Sequence, residues 1–96
     1  MITNIIINDH PNKPKLYNFK FIRHLSGYPT YIFNDYYGNC INLNSNAGYY
    51  MVKNNCYVVN VMIGNCLAPL MENDGYYFTG SIVDVLFDVT ERKIIK

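Results

Sequence analysis

Apolar residues recur at every second position over most of this chain, which is the period of a half-buried β-strand. Leu16 to His24 sets Tyr17, Phe19 and Phe21 against Asn18, Lys20 and Ile22. Ser81 to Val89 sets Val83, Val85, Phe87 and Val89 on one face and Asp84 and Asp88 on the other. Cys56 to Ile63 places Tyr57, Val59, Val61 and Ile63 on one side. Its other side carries Cys56, Val58, Asn60 and Met62, a pattern expected of a strand buried on both faces.

Turn chemistry punctuates these runs. Lys53-Asn54-Asn55 predicts a hairpin between Tyr49–Val52 and Cys56–Ile63, with Asn in the left-handed conformation. Asp74-Gly75 predicts a turn before Tyr76-Tyr77-Phe78, and Thr90-Glu91-Arg92 a last hairpin to Lys93–Ile95. Residues 24–28 read as a turn and Asn8 to Pro14 as a loop. Gly80, inside an extended stretch, marks a bulge. Helix signals are weak; Cys66 to Asn73 has room for one turn and is interrupted by Pro69. The expectation is an all-β single domain over 1–96, a small barrel or sandwich of seven to nine short antiparallel strands.

An internal pseudo-repeat overlies this pattern. Tyr31 to Tyr50 (YIFNDYYGNCINLNSNAGYY) returns as Tyr57 to Tyr77 (YVVNVMIGNCLAPLMENDGYY) with at least eight identities and one inserted residue. Gly-Asn-Cys occurs in both copies, at Gly38-Asn39-Cys40 and Gly64-Asn65-Cys66. Gly27-Tyr28, Gly48-Tyr49 and Gly75-Tyr76 each precede a strand, at spacings of 21 and 27 residues. Two copies are too few for a solenoid, so the repeat points to a pseudo-symmetric barrel or sandwich.

Composition narrows the function classes. Charged residues are 16% of the chain, below the roughly 25% of an average soluble domain, and net charge is +1. The densest basic cluster, Lys13, Lys15, Lys20 and Arg23, is thin, so a nucleic-acid polymer is not the expected partner. Fourteen Asn and ten Tyr dominate the polar and aromatic positions. A domain this small cannot bury ten tyrosines beside eleven isoleucines, so some rings must face out. Three cysteines and no signal segment point to a reducing, cytoplasmic compartment. No stretch approaches the length of a membrane span. Asn, Ile, Tyr and Lys share AT-rich codons, a usage common in bacteria, phages and viruses.

Candidate chemistry is sparse. Cys40 and Cys66 could approach each other on equivalent turns, but only His10 and His24 remain as nitrogen ligands and the cysteine spacings do not fit zinc. We therefore expect no cofactor and no metal. A cysteine nucleophile needs a histidine in reach, and nothing in the order or spacing selects one. Asp84 and Asp88 share the polar face of one strand, which solvation explains. No Gly-rich phosphate loop is present.

The adjacent pairs Tyr36-Tyr37, Tyr49-Tyr50 and Tyr76-Tyr77 are more informative. On a strand neighbours point to opposite faces, so one ring of each pair can enter the core while the other faces out. Outward rings make a rigid amphipathic contact surface. Tyr28, Tyr36, Tyr37, Tyr49 and Tyr76, with Asn39 and Asn65, are the candidate contact residues. The stretch Tyr49 to Ile63 (YYMVKNNCYVVNVMI) resembles the strand–turn–strand of small β-sandwich heads on phage tail proteins, and covers about a sixth of the chain.

The expected function is a small non-enzymatic binding module acting on a protein through a Tyr/Asn-rich neutral surface, as a homo-oligomer. An accessory or inhibitor protein of a phage or mobile element would have these properties, in the host cytoplasm if viral. Three alternatives stand beside it: a small-ligand, nucleotide-type binding protein; a structural head domain of a viral assembly; and a cysteine-dependent enzyme.

Overall fold

The computed structural model describes the backbone of residues 2–3, 13–67 and 77–96, and the side chains of 13–64 and 78–96. All described secondary structure is β. The strands are β1 (Ile2–Thr3), β2 (Lys15–His24), β3 (Thr30–Asn34), β4 (Cys40–Asn44), β5 (Cys56–Leu67), β6 (Tyr77–Asp88) and β7 (Lys93–Ile94).

Five of them close a barrel. Around the ring the order is β2-β3-β4-β6-β5, and β5 pairs back onto β2. Strands β2, β3 and β4 follow one another as hairpins, and the longer loop 45–55 brings β5 back beside β2, the Greek-key path. β6 then fills the gap between β5 and β4. Short β1 adds to the edge of β2, and two-residue β7 ties the C-terminus to β6.

This corrects two expectations within the all-β class. Fewer strands build the barrel than the seven to nine expected, because two-residue β1 and β7 lie outside the ring and 49–52 is not a strand. The sheet is also mixed. Directions alternate from β2 to β6 along the chain, and a ring with an odd number of members cannot alternate throughout. One neighbouring pair must run parallel, and it is β4 with β6.

Burial follows the period-2 pattern where strands run straight. Tyr17, Phe19 and Phe21 of β2 point inward, as do Tyr57, Val59, Val61 and Ile63 of β5. The other side of β5 is half-buried apart from Val58, which is buried. Rings from adjacent strands interlock: Phe33 lies 5.5 Å from Phe21, edge to face, and 6.2 Å from Phe19. Met51 reaches into the same core from loop 45–55.

β6 departs from the pattern, and bulges are the reason. Its register against β5 steps from Phe87 to Val85 and from Asp84 to Ile82, leaving Leu86 and Val83 as extra residues. The inward positions become Ile82, Val85 and Asp88. Val83, expected in the core, is exposed, and Asp88, expected on the polar face, is buried. A third bulge leaves Gly64 extra on β5, opposite Gly80 and Thr79. A small barrel needs strongly coiled strands, and bulges supply that bend. Gly80 sits at this bulge as expected, and a Cβ there would run into the Met62 carbonyl oxygen.

The turns fall mostly where their residues place them. Gly27 (φ 80°) turns β2 into β3, and Arg92 (φ 56°) turns β6 into β7. Asn54 is left-handed (φ 72°), but 49–52 is not a strand, so there is no hairpin. Asn54 and Asn55 bond instead to Phe21 of β2. The second Gly-Asn-Cys is not a turn either: Gly64 to Cys66 run within β5. Most of the Asn8–Pro14 loop, residues 68–73 of the one-turn helix and the Asp74-Gly75 turn lie outside the described residues.

Candidate functional site

The segment NDYYGNC between β3 and β4 folds into a turn whose geometry its residue types dictate. Asp at the first turn position and Gly three residues later favour a tight reversal. Gly38 takes φ 83°, and its N–H donates to the Asp35 carbonyl at 3.3 Å. Asp35 is 6% exposed, and its carboxylate accepts from within the turn on both oxygens. Oδ1 accepts the N–H groups of Tyr37 (2.9 Å) and Asn39 (2.8 Å), while Oδ2 accepts the Asn39 side-chain amide (2.6 Å). A charged acceptor with several donors is a strong local staple.

That staple presents two rings. Tyr36 is 79% exposed and Tyr37 is 59% exposed, packed edge to face with centroids 5.2 Å apart. Strand alternation does not operate on a turn, so both members of this pair face out.

Beside the turn lies a cleft of about 390 Å³ on the outer face of the barrel. Its lining includes Asn18 and Lys20 from β2, Asn34 from β3 and Cys56 from β5, with Tyr36 and Gly38 at the lip. Lys20 pairs with Asn34 on one side and with Cys56 on the other, so these three form one row across three strands. Asn18 Oδ1 is buried and accepts no hydrogen bond from the described residues.

A second, smaller groove of about 220 Å³ runs past Tyr50, Val52, Ile94 and Ile95. These four are exposed apolar groups, Tyr50 at 92% and Ile94 at 81%. At its base Asp88 accepts from the Asn55 amide (3.1 Å) and the Glu91 N–H (2.9 Å). Burial works to raise the Asp88 carboxyl, but the bonds from Glu91, Asn55 and Tyr57 outweigh it and hold it below the usual range. Burial, with the Asp88 charge adding to it, raises the Tyr57 hydroxyl, although the Val52 N–H donated to it at 2.7 Å works the other way.

The candidate contact residues do not form one surface. Tyr36, Tyr37 and Asn39 meet on the β3–β4 turn, where Asn39 spends its amide on Asp35. Tyr28 is exposed at the opposite end of five-residue β3, roughly 17 Å away along the strand. Tyr49 turns inward against Tyr31, with centroids 6.0 Å apart, and its hydroxyl donates to the Val83 carbonyl at 3.4 Å. Tyr50 is the outward member of that pair. Tyr76 and the Asn65 side chain lie outside the described residues. Asn18, Lys20 and Cys56 were not among the expected contacts, although Asn18 and Lys20 stand on the polar face of β2 in the sequence pattern.

The cysteines are kept apart. Cys40 pairs with Tyr77 and Cys66 with Phe78, so β6 runs between them. Two interstrand spacings, about 10 Å, exceed what a disulfide spans. His24 lies at the β2–β3 turn, stacked on Tyr31 at 4.4 Å, with Nε2 2.8 Å from the Tyr28 carbonyl. Among the described residues no group of three or more His, Cys, Asp or Glu is placed to hold a metal ion. None forms a helix long and apolar enough to cross a membrane. Comparison with known proteins finds no matching family, no matching curated protein and no matching solved structure.

Proposed function

We propose that this chain is a non-enzymatic recognition module that docks a protein partner through the Tyr36–Tyr37 turn. The observation that carries this reading is the preorganisation of the turn. Two large, exposed rings stand on a backbone already fixed by Asp35. Binding through such groups loses little conformational entropy, and tyrosines are favoured where a few residues dominate an interface. The low charge of the chain fits contact by ring and amide rather than by ion pairs. The exposed group of Tyr50, Val52, Ile94 and Ile95 supports self-association through a separate face. AT-rich residue usage fits an accessory or inhibitor protein of a phage or mobile element acting in the host cytoplasm.

Affinity capture with the wild-type chain, the Tyr36→Ala/Tyr37→Ala double variant and Tyr28→Ala tests this. The proposal predicts one partner retained by wild type and Tyr28→Ala and lost by the double variant. A partner held equally by all three would sink it.

A further inference from the structure

We infer that a second copy of this chain covers the groove between Tyr50–Val52 and β7, forming a two-fold symmetric dimer. This rests on the self-association proposed above and gives it a face and a symmetry. Both walls of the groove are pinned before any contact is made. On one side Met51 is buried in the core, so its neighbours Tyr50 and Val52 point outward. The Val52 N–H is tied to the Tyr57 hydroxyl at 2.7 Å. On the other side β7 is paired to β6, and the Ile95 N–H donates to the Leu86 carbonyl at 2.9 Å. Ile94 and Ile95 stand exposed on that backbone.

Area and self-complementarity select the occupant. At roughly 200 Å² for a fully exposed side chain of this size, Tyr50, Val52, Ile94 and Ile95 together offer about 500 Å². Counted on two copies that is about 1,000 Å², the size at which a specific interface begins. An isologous contact also needs a knob and a hole on the same patch. Tyr50, 92% exposed, is the knob, and the groove of about 220 Å³ beside it is the hole. The groove carries one exposed charge of each sign, Glu91 and Lys93. A two-fold axis sets Glu91 of each copy beside Lys93 of the other, so the opposite-charge contact forms twice. Asp88 at the base is buried in the single chain, so covering it adds little desolvation. A net charge of +1 gives two copies little mutual repulsion.

Sedimentation equilibrium of the full chain from about 1 μM to about 1 mM tests this, with isotope-filtered NMR on a mixture of labelled and unlabelled copies. Wild type should pass from monomer to dimer with Kd between about 1 and 100 μM, as suits a small interface. Contacts between copies should join the Tyr50 ring to methyl groups of Val52 or Ile94. Tyr50→Ala and Ile94→Glu should each raise Kd by about tenfold or more with Tm retained, because both side chains are exposed. Lys93→Glu and Glu91→Lys should each weaken the dimer. Mixing those two variants should restore association by about threefold or more, since the mixed pair regains both opposite-charge contacts.

Four outcomes overturn the inference: a monomer up to about 1 mM, assembly beyond a dimer, a dimer untouched by both Tyr50→Ala and Ile94→Glu, or no gain on mixing the charge variants. A dimer untouched by Tyr50→Ala and Ile94→Glu would leave self-association standing through another face, whereas a monomer removes both readings. A monomer that captures a cellular protein through Tyr50 and Ile94 assigns the face to a different partner and also overturns it. Docking by the β3–β4 turn is judged apart, because the Tyr36→Ala/Tyr37→Ala variant should dimerise like wild type.

Discussion

Gly64 and Gly80 flank the same bulge in the β5–β6 ladder, and substituting each by alanine should have opposite consequences. A Cβ on Gly80 collides with the Met62 carbonyl oxygen and comes to 3.0 Å from Ile63 Cα. Both obstacles are backbone, so no side-chain rotation relieves them. β5 and β6 must separate locally, which opens about two ladder hydrogen bonds. Each buried group left unpaired costs about 1–3 kcal/mol, so Gly80→Ala should lose about 3 kcal/mol or more. A 96-residue domain has of the order of 5–14 kcal/mol in total. The loss should lower Tm by roughly 12–24 °C. At Gly64 the nearest atom to an added Cβ is the Thr79 carbonyl oxygen, an ordinary contact at 3.9 Å. Gly64→Ala should therefore be neutral or stabilising by up to about 1 kcal/mol, through the unfolded chain. Urea and thermal unfolding followed by circular dichroism measure both. The reasoning fails if Gly80→Ala loses less than about 1 kcal/mol, or if Gly64→Ala loses as much as Gly80→Ala. Failure of Gly80→Ala to fold, with Gly64→Ala folded, agrees with it.

Three further outcomes follow from the same geometry. Phe33→Ala, at a fully buried position between Phe19 and Phe21, should cost about 3–5 kcal/mol in urea unfolding, and a loss under about 1 kcal/mol would place Phe33 outside the core. Asp88 has its folded pKa held below the unfolded value, so its contribution is complete above about pH 4 and is lost as pH falls through the folded value. Unfolding midpoints measured from pH 6 down to pH 2 should accordingly fall less steeply for Asp88→Asn than for wild type, and parallel curves would contradict the assignment. Asp35→Ala removes an acceptor of three N–H bonds and should cost about 1–3 kcal/mol, with amide exchange rising at Tyr37 and Asn39; unchanged exchange would mean the turn is held by something else.

The inward faces of β2 and β5 were legible because those strands run straight enough for period 2 to hold: Tyr17, Phe19, Phe21 and Val59 all lie where alternation puts them. β6 was not, since each bulge exchanges the two faces and nothing local to Val83 or Leu86 announces one. Only Gly80 gave a signal, and that signal depends on a close approach made by a strand some twenty residues away. Barrel and sandwich were both expected, and choosing between them was beyond local pattern, because pairing of β6 between β4 and β5 is a property of the whole ring. At the site, strand alternation predicted one ring of the Tyr36-Tyr37 pair inward, but Asp35 and Gly38 fold the segment into a turn, and that turn frees both rings from alternation. The pair Tyr49-Tyr50 does split one in and one out, yet the identity of the inward ring rests on its contact with Tyr31. The cleft depends on Asn18, Lys20, Asn34 and Cys56 meeting across three strands, which no spacing along the chain encodes.

Recognition through the Tyr36–Tyr37 turn is most directly tested by photo-crosslinking in the native cell. A benzophenone amino acid would replace Tyr37 in one protein and Tyr28, at the far end of β3, in another. The account predicts a discrete protein adduct from position 37 and none from position 28. An adduct from position 28 with none from position 37 would contradict it.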